Sequence, residues 1–429
     1  MNVLMFVPDS LHKPMGGMGV QLAGILNGAQ AAGLSLRFLI VGSGGERQDG
    51  ENFVYVPHVA NPVVNIPTSH VRTMIGFSQA NYVDTGFWLA DTEGPVDIVH
   101  AFDHSTAYAG IIVARRLRVP LVVTFQLSYA TMALKMSGMV GSKDADYANM
   151  TIAIEMAMCR EAAAIIQVSE AYKQFWAMLA PDAAEKMVVI PNATAAAQPI
   201  QPKPEYLETG MFNVGYIGRC CVQKAADAMI EAVFRPDWPS GVRLVWAGDE
   251  RGGIPGIWRK LQDIARDYPD RLLLVGYLSG DAKWAFLQHC DAILFPSRHE
   301  PFGIVGLEAM TAGTVLITSR VDGIAEYADD TNSVLTAQTT DGILDAVSRT
   351  VALTVEQRRT LIGAGLGTAG RYRWDSIAGQ LEGVYRRATG RCVADRGGDG
   401  VDGRTRTDMD EVDAVDKEWT APWPPSMGE

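Results

Sequence analysis

One rhythm, run twice, constrains this chain more than any other feature. Short apolar runs at Val3–Val7, Leu36–Val41, Ile98–Ala101, Leu121–Thr124 and Ile165–Val168 read as buried strands, and helical patterns lie between them at Gln21–Ala32, Ala107–Leu117 and Thr151–Ala162. Strands apolar along their whole length have both faces covered, as in a parallel sheet wound with helices on either side. From Pro191-Asn192 through Pro204 the texture changes to four prolines and several alanines, which read as a linker. The β/α rhythm then restarts at Val214–Ile217, Ala225–Val233, Arg243–Ala247, Leu272–Val275, Trp284–Gln288, Ala292–Phe295, Ile304–Ala312 and Val315–Thr318. The predicted fold class is α/β, with two successive doubly wound, Rossmann-like units at 1–195 and 205–370. No period of 20–50 residues repeats, so a solenoid is excluded.

Bulk properties agree. At 429 residues, and about 150 residues per domain, the chain holds two or three domains. With 48% apolar and 20% charged residues it has material for two sizeable cores. A net charge of -12 with no Lys/Arg cluster argues against nucleic acid or an anionic membrane as partner. The five cysteines form no metal-spaced pairs and no even-numbered framework, so they read as reduced thiols of a cytoplasmic protein. The apolar opening Asn2–Val7 stops at Pro8 and lacks a basic flank, unlike a signal peptide, and no run of about 18 apolar residues predicts a membrane span. From 391 onward, ten acidic residues stand against five basic ones, and this tail reads as disordered.

The chemistry concentrates at Ser297–Gly313. Glu300 and Glu308 bracket a Pro-Phe-Gly turn that follows an apolar run and opens a helical segment. A helix N-terminus after a strand and loop offers unpaired backbone N–H groups and a positive dipole end to an anion such as a phosphate. Glu300 on the loop and Glu308 one turn into the helix then border that anion, placed to accept hydrogen bonds from sugar or ribose hydroxyls. Upstream, Gly218 and Arg219 end a strand and Lys224 follows, setting two cations where they can neutralise such an anion. Alone such a pair reads as a solvated rim; with the two glutamates downstream, the functional reading is preferred.

The run from Glu300 to Gly313 resembles the E-x7-E signature of retaining, nucleotide-sugar-dependent glycosyltransferases of family 4, which have the GT-B architecture of two Rossmann-like domains facing across a cleft. Gly218-Arg219 with Lys224 is similar to that family's G-R-x4-K motif, although Ala225 stands where the family usually has glycine and Cys220-Cys221 replaces a more polar loop. Gly16-Gly17 resembles the family's glycine loop, whose backbone approaches the donor diphosphate, although G-x-G-x-x-G is absent. Asp249 stands where the family's strand after Val245 ends in a second glycine, and Val275–Leu278 resembles the segment whose backbone meets the base. The segment 371–389 resembles the closing helix that returns to the first domain.

What the resemblance implies is a metal-independent hexosyltransferase using a nucleoside-diphosphate sugar, with no cofactor and no metal ligands. Arg219 and Lys224 would hold the leaving diphosphate with the backbone of Phe302, Gly303, Ile304 and Val305; Glu308 would hold the ribose, Glu300 the transferred sugar, and Leu278 the base. On the facing domain, Gln126 stands where many members have a histidine. It can hydrogen bond to a sugar but cannot carry a proton at neutral pH. Asp103 and His104 are acceptor-side candidates, and His100 reads as a satisfied structural histidine. Met132, Met136, Met139, Met150, Met156 and Met158 read as core on an amphipathic helix rather than as an adaptable acceptor site. Alternatives are another GT-B enzyme, such as a nucleotide-sugar 2-epimerase, or a binding protein that has lost transfer.

Overall fold

The computed structural model describes residues 1–8, 17–43, 53–56, 71–135, 145–207, 210–248 and 257–391. Gly16, Met136, Met139, Asp249 and the acidic tail lie outside the described residues. In chain order the first half comprises β1 (Asn2–Phe6), α1 (Gly17–Ala31), β2 (Arg37–Ser43), β3 (Phe53–Val56), α2 (Val71–Thr92), β4 (Ile98–Phe102), α3 (Ala107–Leu117), β5 (Leu121–Phe125), α4 (Tyr129–Lys135), α5 (Ala145–Glu161), β6 (Ala164–Gln167), α6 (Glu170–Leu179) and β7 (Met187–Val189). The second half comprises β8 (Phe212–Ile217), α7 (Ala226–Phe234), β9 (Val242–Ala247), α8 (Ile257–Asp267), β10 (Leu272–Gly276), α9 (Gly280–His289), β11 (Ala292–Phe295), α10 (Ile304–Thr311), β12 (Val315–Thr318) and β13 (Val334–Leu335). It closes with α11 (Thr340–Val351), α12 (Val355–Ala369) and α13 (Trp374–Ala388).

Two all-parallel sheets result, ordered β3-β2-β1-β4-β5-β6-β7 and β10-β9-β8-β11-β12-β13. In β1, Val3 and Met5 enter the core shared with α1 and α13, while Leu4 and Phe6 enter the core shared with α3 and α5. Successive strand residues point to opposite faces, so both sets must be apolar. In each sheet the winding reverses once, between β1 and β4 and between β8 and β11. At such a switch point the loops leaving two neighbouring strands diverge to opposite faces and open a crevice at the strands' C-terminal ends.

The returning helix α13 lies along α1 because α1 is stripped of side chains there. A β-carbon on Gly24 would overlap the Trp374 indole, and one on Gly28 the Trp374 carbonyl oxygen. His100, fully buried in β4, has Nδ1 2.7 Å from the Tyr385 hydroxyl of α13 and Nε2 2.7 Å from Thr124 Oγ1, the satisfied structural role expected of it. Burial lowers its pKa to about 3. Thr194 N–H donates to the Tyr372 carbonyl at 3.2 Å, tying the outgoing linker to the returning chain.

Sequence reading missed α2, α6, α8, α11, α12 and the short strands β3, β7 and β13. The helix expected from Thr151 begins at Ala145. Met158 is core and Met150 and Met156 pack against that core, as expected. The missed helices had local signals: Ser169 and Thr339 cap α6 and α11, and Thr354 with Gln357 forms a capping box on α12.

Gly28→Ala should destabilise the fold by about 1–3 kcal/mol through the forced overlap with Trp374. Gly363→Ala, in α12 with open space around its α-carbon, should be neutral or stabilising by about 0.5–1 kcal/mol. Urea unfolding of the two variants checks the contrast.

Candidate active site

The second switch point brings the two motif loops together. After β8, the Tyr216 hydroxyl donates to the Arg219 carbonyl at 2.8 Å, and Arg219 Nη2 donates to Gln223 Oε1 at 3.3 Å. Gln223 Nε2 donates to the His299 carbonyl at 3.0 Å, and Arg298 N–H to the Gln223 carbonyl at 2.8 Å. Arg298 also grips Asp227 at 2.6 and 2.9 Å. These bonds zip the loop after β8 to the loop after β11. Within that frame Lys224 forms an ion pair with Glu300 and lies 5.1 Å over the Phe295 ring, with Ser297 Oγ donating to Glu300 Oε2 at 3.2 Å. Their side chains are 15% and 12% exposed, so the pair is largely dry while still open to a ligand.

Gly303 opens α10 with φ 91°, and a β-carbon there would lie 2.9 Å from the Tyr327 hydroxyl oxygen and 3.0 Å from Glu300 Cγ. Glycine is required on both counts. The Tyr327 hydroxyl donates to the Gly303 carbonyl at 2.7 Å, holding the turn. At the start of α10 the Gly306 N–H turns back to the Gly303 carbonyl at 3.1 Å, while the two N–H groups before it, of Ile304 and Val305, lack an intrahelical carbonyl, as an anion site would need. Glu308 is buried on α10 and takes a 2.6 Å bond from Lys283 Nζ of α9, a partner that no motif announced. A methyl group on Gly17 would stand 3.5 Å from Ile304 Cδ1, so the start of α1 faces the start of α10. Leu278 packs half-buried against the core beneath α10.

On the first-half side the loop after β5 hangs from two buried carboxylates. Asp103 Oδ1 accepts from the N–H groups of Gln126 and Leu127 at 2.7 and 3.2 Å. Glu155 of α5 accepts from Tyr129 N–H, Ala130 N–H and Ser128 Oγ at 2.8, 3.1 and 3.0 Å. Burial pushes Asp103 up to about 8 against the lowering effect of its two N–H donors, and pushes Glu155 up to about 7. The half-buried Gln126 side chain exchanges two bonds with Asn192, at 3.1 and 3.0 Å. His104 is buried edge-on against Tyr129, and burial lowers it to about 4. Asp103 thus shapes the loop that carries Gln126 and is only 4% exposed. Sequence reading missed Glu155, Asn192 and Lys283, each brought in from a distant element.

Two family models match: Glycosyltransferase Family 4 over residues 15–197 and Glycosyl transferases group 1 over residues 212–352. The glycogen synthase of Mycobacterium tuberculosis is 30% identical over 301 residues, 68% of this chain and 69% of its own length. The chain belongs to glycosyltransferase family 4. This glycosyltransferase is also 23% identical to an uncharacterized glycosyltransferase of Methanocaldococcus jannaschii over 90% of this chain and 98% of the other. Among solved structures, sucrose-phosphate synthase from Thermosynechococcus elongatus superposes with a TM-score of 0.74 at 18% identity, covering 91% of this chain and 100% of its own. Anabaena HepE in complex with UDP and glucose gives 0.67 at 18% identity, covering 90% and 100%. The two doubly wound sheets are the GT-B architecture, and the enzyme transfers sugar.

One family departure has a structural meaning. Ala225, where glycine is usual, is fully buried in the left-handed conformation at φ 57° between Lys224 and α7. That conformation is unfavourable for an alanine by roughly 1–2 kcal/mol. Among the described residues, no three His, Cys, Asp or Glu side chains form a set able to hold a metal, and no helix is long and apolar enough to cross a membrane.

The raised carboxyls give the glycosyltransferase a pH-dependent stability. The folded chain keeps protons on Asp103 and Glu155 that the unfolded chain releases near pH 4. The stability they contribute is full below that pH and is lost as the pH rises through about 7 and about 8. The thermal midpoint should therefore fall between pH 6 and 9, and Asp103→Asn, which keeps an acceptor for both N–H groups, should flatten the fall. Melting curves across that range check it.

Proposed function

We propose that this glycosyltransferase is a retaining, metal-independent enzyme that moves a hexose from a nucleoside diphosphate to an acceptor hydroxyl. Residues 205–370 would hold the donor, and residues 1–195 with the returning 371–389 segment the acceptor. The observation that carries this reading is the Lys224–Glu300 ion pair at the second switch point, on the loop that also carries Arg219 and next to the turn that opens α10. It sets a cation for phosphate next to a carboxylate for sugar hydroxyls. The complexes of HepE with UDP-glucose and of Arabidopsis thaliana starch synthase IV with ADP and acarbose support a nucleotide-sugar donor.

In this mechanism Arg219, Lys224 and the N–H groups at the start of α10 hold the diphosphate and stabilise its charge as the anomeric C–O bond breaks. Glu308, oriented by Lys283, accepts from the ribose hydroxyls, and Glu300 from the hexose. The acceptor hydroxyl attacks from the face the leaving group departs from, and its proton passes to the leaving phosphate oxygen. Gln126, locked to Asn192, contributes a fixed polar edge rather than proton transfer. The described cysteines are free thiols, which supports a reducing, cytoplasmic setting.

Incubation with UDP-, ADP- and GDP-hexoses, with and without sugar acceptors, should release nucleotide from one donor class. Lys224→Met and Arg219→Met should each lower turnover by about 10²–10³-fold. Tight donor binding without release would overturn transfer. An inverted anomeric centre by NMR would overturn retention, and loss of activity in EDTA restored by a divalent ion would overturn metal independence.

A further inference from the structure

We propose that Asp322 is a positioning residue for Glu300, and that it holds Glu300 in place only while the first half of the chain is docked; this rests on the reading of Glu300 as the sugar-side carboxylate. Asp322 begins a 3-10 turn, Asp322–Glu326, directly beneath the Glu300 loop. Its backbone is at φ 44°, a left-handed conformation uncommon outside glycine, and its side chain is only 7% exposed. A strained, buried carboxylate needs several donors, and it has them from both halves. Oδ2 accepts the Glu300 N–H at 2.9 Å and lies 2.6 Å from His299 Nδ1, while Oδ1 forms an ion pair with Lys135 of α4. Burial pulls its pKa up, but His299, Lys135 and the Glu300 N–H outweigh that and hold it below the ordinary carboxylate range.

His299 extends the link. It is fully buried, and with Nδ1–H given to Asp322 its Nε2 is left to accept from the Tyr172 hydroxyl at 2.8 Å, with Thr131 Oγ1 at 3.3 Å. Tyr172 belongs to α6 and Thr131 to α4. At the other end of the turn, Glu326 accepts the Ala171 N–H of α6 at 3.0 Å. Four contacts from two first-half helices therefore converge here, two on the short turn itself and two on His299, which is bonded to it. The same Asp322 oxygen that receives the docking histidine receives the Glu300 amide, so the two are mechanically joined. Separating the halves strips Asp322 of Lys135 and His299 of both hydroxyls, leaving buried polar groups that must find new partners. The bonds from Asp322 to His299 and to the Glu300 N–H lie within the second half but lose the first-half partners that fix them, so the donor sugar is gripped fully only in the closed enzyme, where water is excluded.

The test compares the wild type with Lys135→Met, Lys135→Arg and Asp322→Asn, using calorimetric binding of UDP and of UDP-glucose, or of the ADP or GDP pair if the wild type prefers it. Lys135 is partly exposed on a surface helix, so Lys135→Met should fold with a near-wild-type melting point. It should bind nucleoside diphosphate as the wild type does, yet lose about tenfold of the extra affinity contributed by the sugar. Its kcat at saturating donor should fall about 10–100-fold, and Lys135→Arg should restore most of both. Asp322→Asn should lose more of the sugar increment with the same nucleotide affinity. An unchanged sugar increment in both variants, or an equal loss for nucleotide alone, would overturn the proposal. The binding readout does not need turnover: a wild type that binds donor without releasing nucleotide would defeat the transfer reading while leaving this inference to stand or fall on the sugar increment.

Discussion

The site depends on the ion pair between Lys224 and Glu300. Each charge alone, this far from water, would cost several kcal/mol of desolvation, and each compensates the other. The pair also joins the loops that leave β8 and β11, the two strands on either side of the second switch point. Loops joined this way hold their cation and their carboxylate in place before any ligand arrives.

The seam between the halves follows from the same logic. Lys135, Thr131 and Tyr172 stand on helices whose starts are set by carboxylates and caps within the first half: Glu155 gathers the first N–H groups of α4, and Ser169 caps α6. Those helices deliver a cation and two hydroxyls to Asp322 and His299. Order therefore passes from a buried carboxyl group in α5, through α4, to the turn beneath Glu300. No link in that series is long-range electrostatics; each is a short bond, and apart from the partly exposed Lys135 the groups have little exposure, so salt screens them weakly.

Legibility followed from whether a signal is local. The central strands were readable because burial on both faces makes a strand apolar throughout, as at Val3–Phe6 and Ala292–Phe295. The long helix α2 was not, since Gly76, Ser78, Asn81, Thr85 and Gly86 dilute its apolar stripe. The placement of Arg219, Lys224, Glu300 and Glu308 was readable because each sits near a strand end or helix start within a contiguous motif. Lys283, Asn192, Glu155 and Asp322 were not, because only the tertiary fold brings them beside those motifs. Gln126 was noticed for a missing histidine, but its pairing with Asn192, 66 residues away, could not be read locally.

Backbone strain marks the same places. Among the described residues, four non-glycine positions have positive φ: Asp103, Arg118, Ala225 and Asp322. Arg118 ends α3, an ordinary place for a left-handed residue. The other three shape the loop carrying Gln126, the turn after Lys224 and the turn beneath Glu300. Such conformations cost roughly 1–3 kcal/mol each and persist only where the surroundings over-determine them. Two are aspartates, and their side-chain oxygens collect the very N–H groups that need placing. The strain and the hydrogen bonds are therefore one device: an aspartate stands where glycine would suit the backbone, and its side chain holds the neighbouring loop.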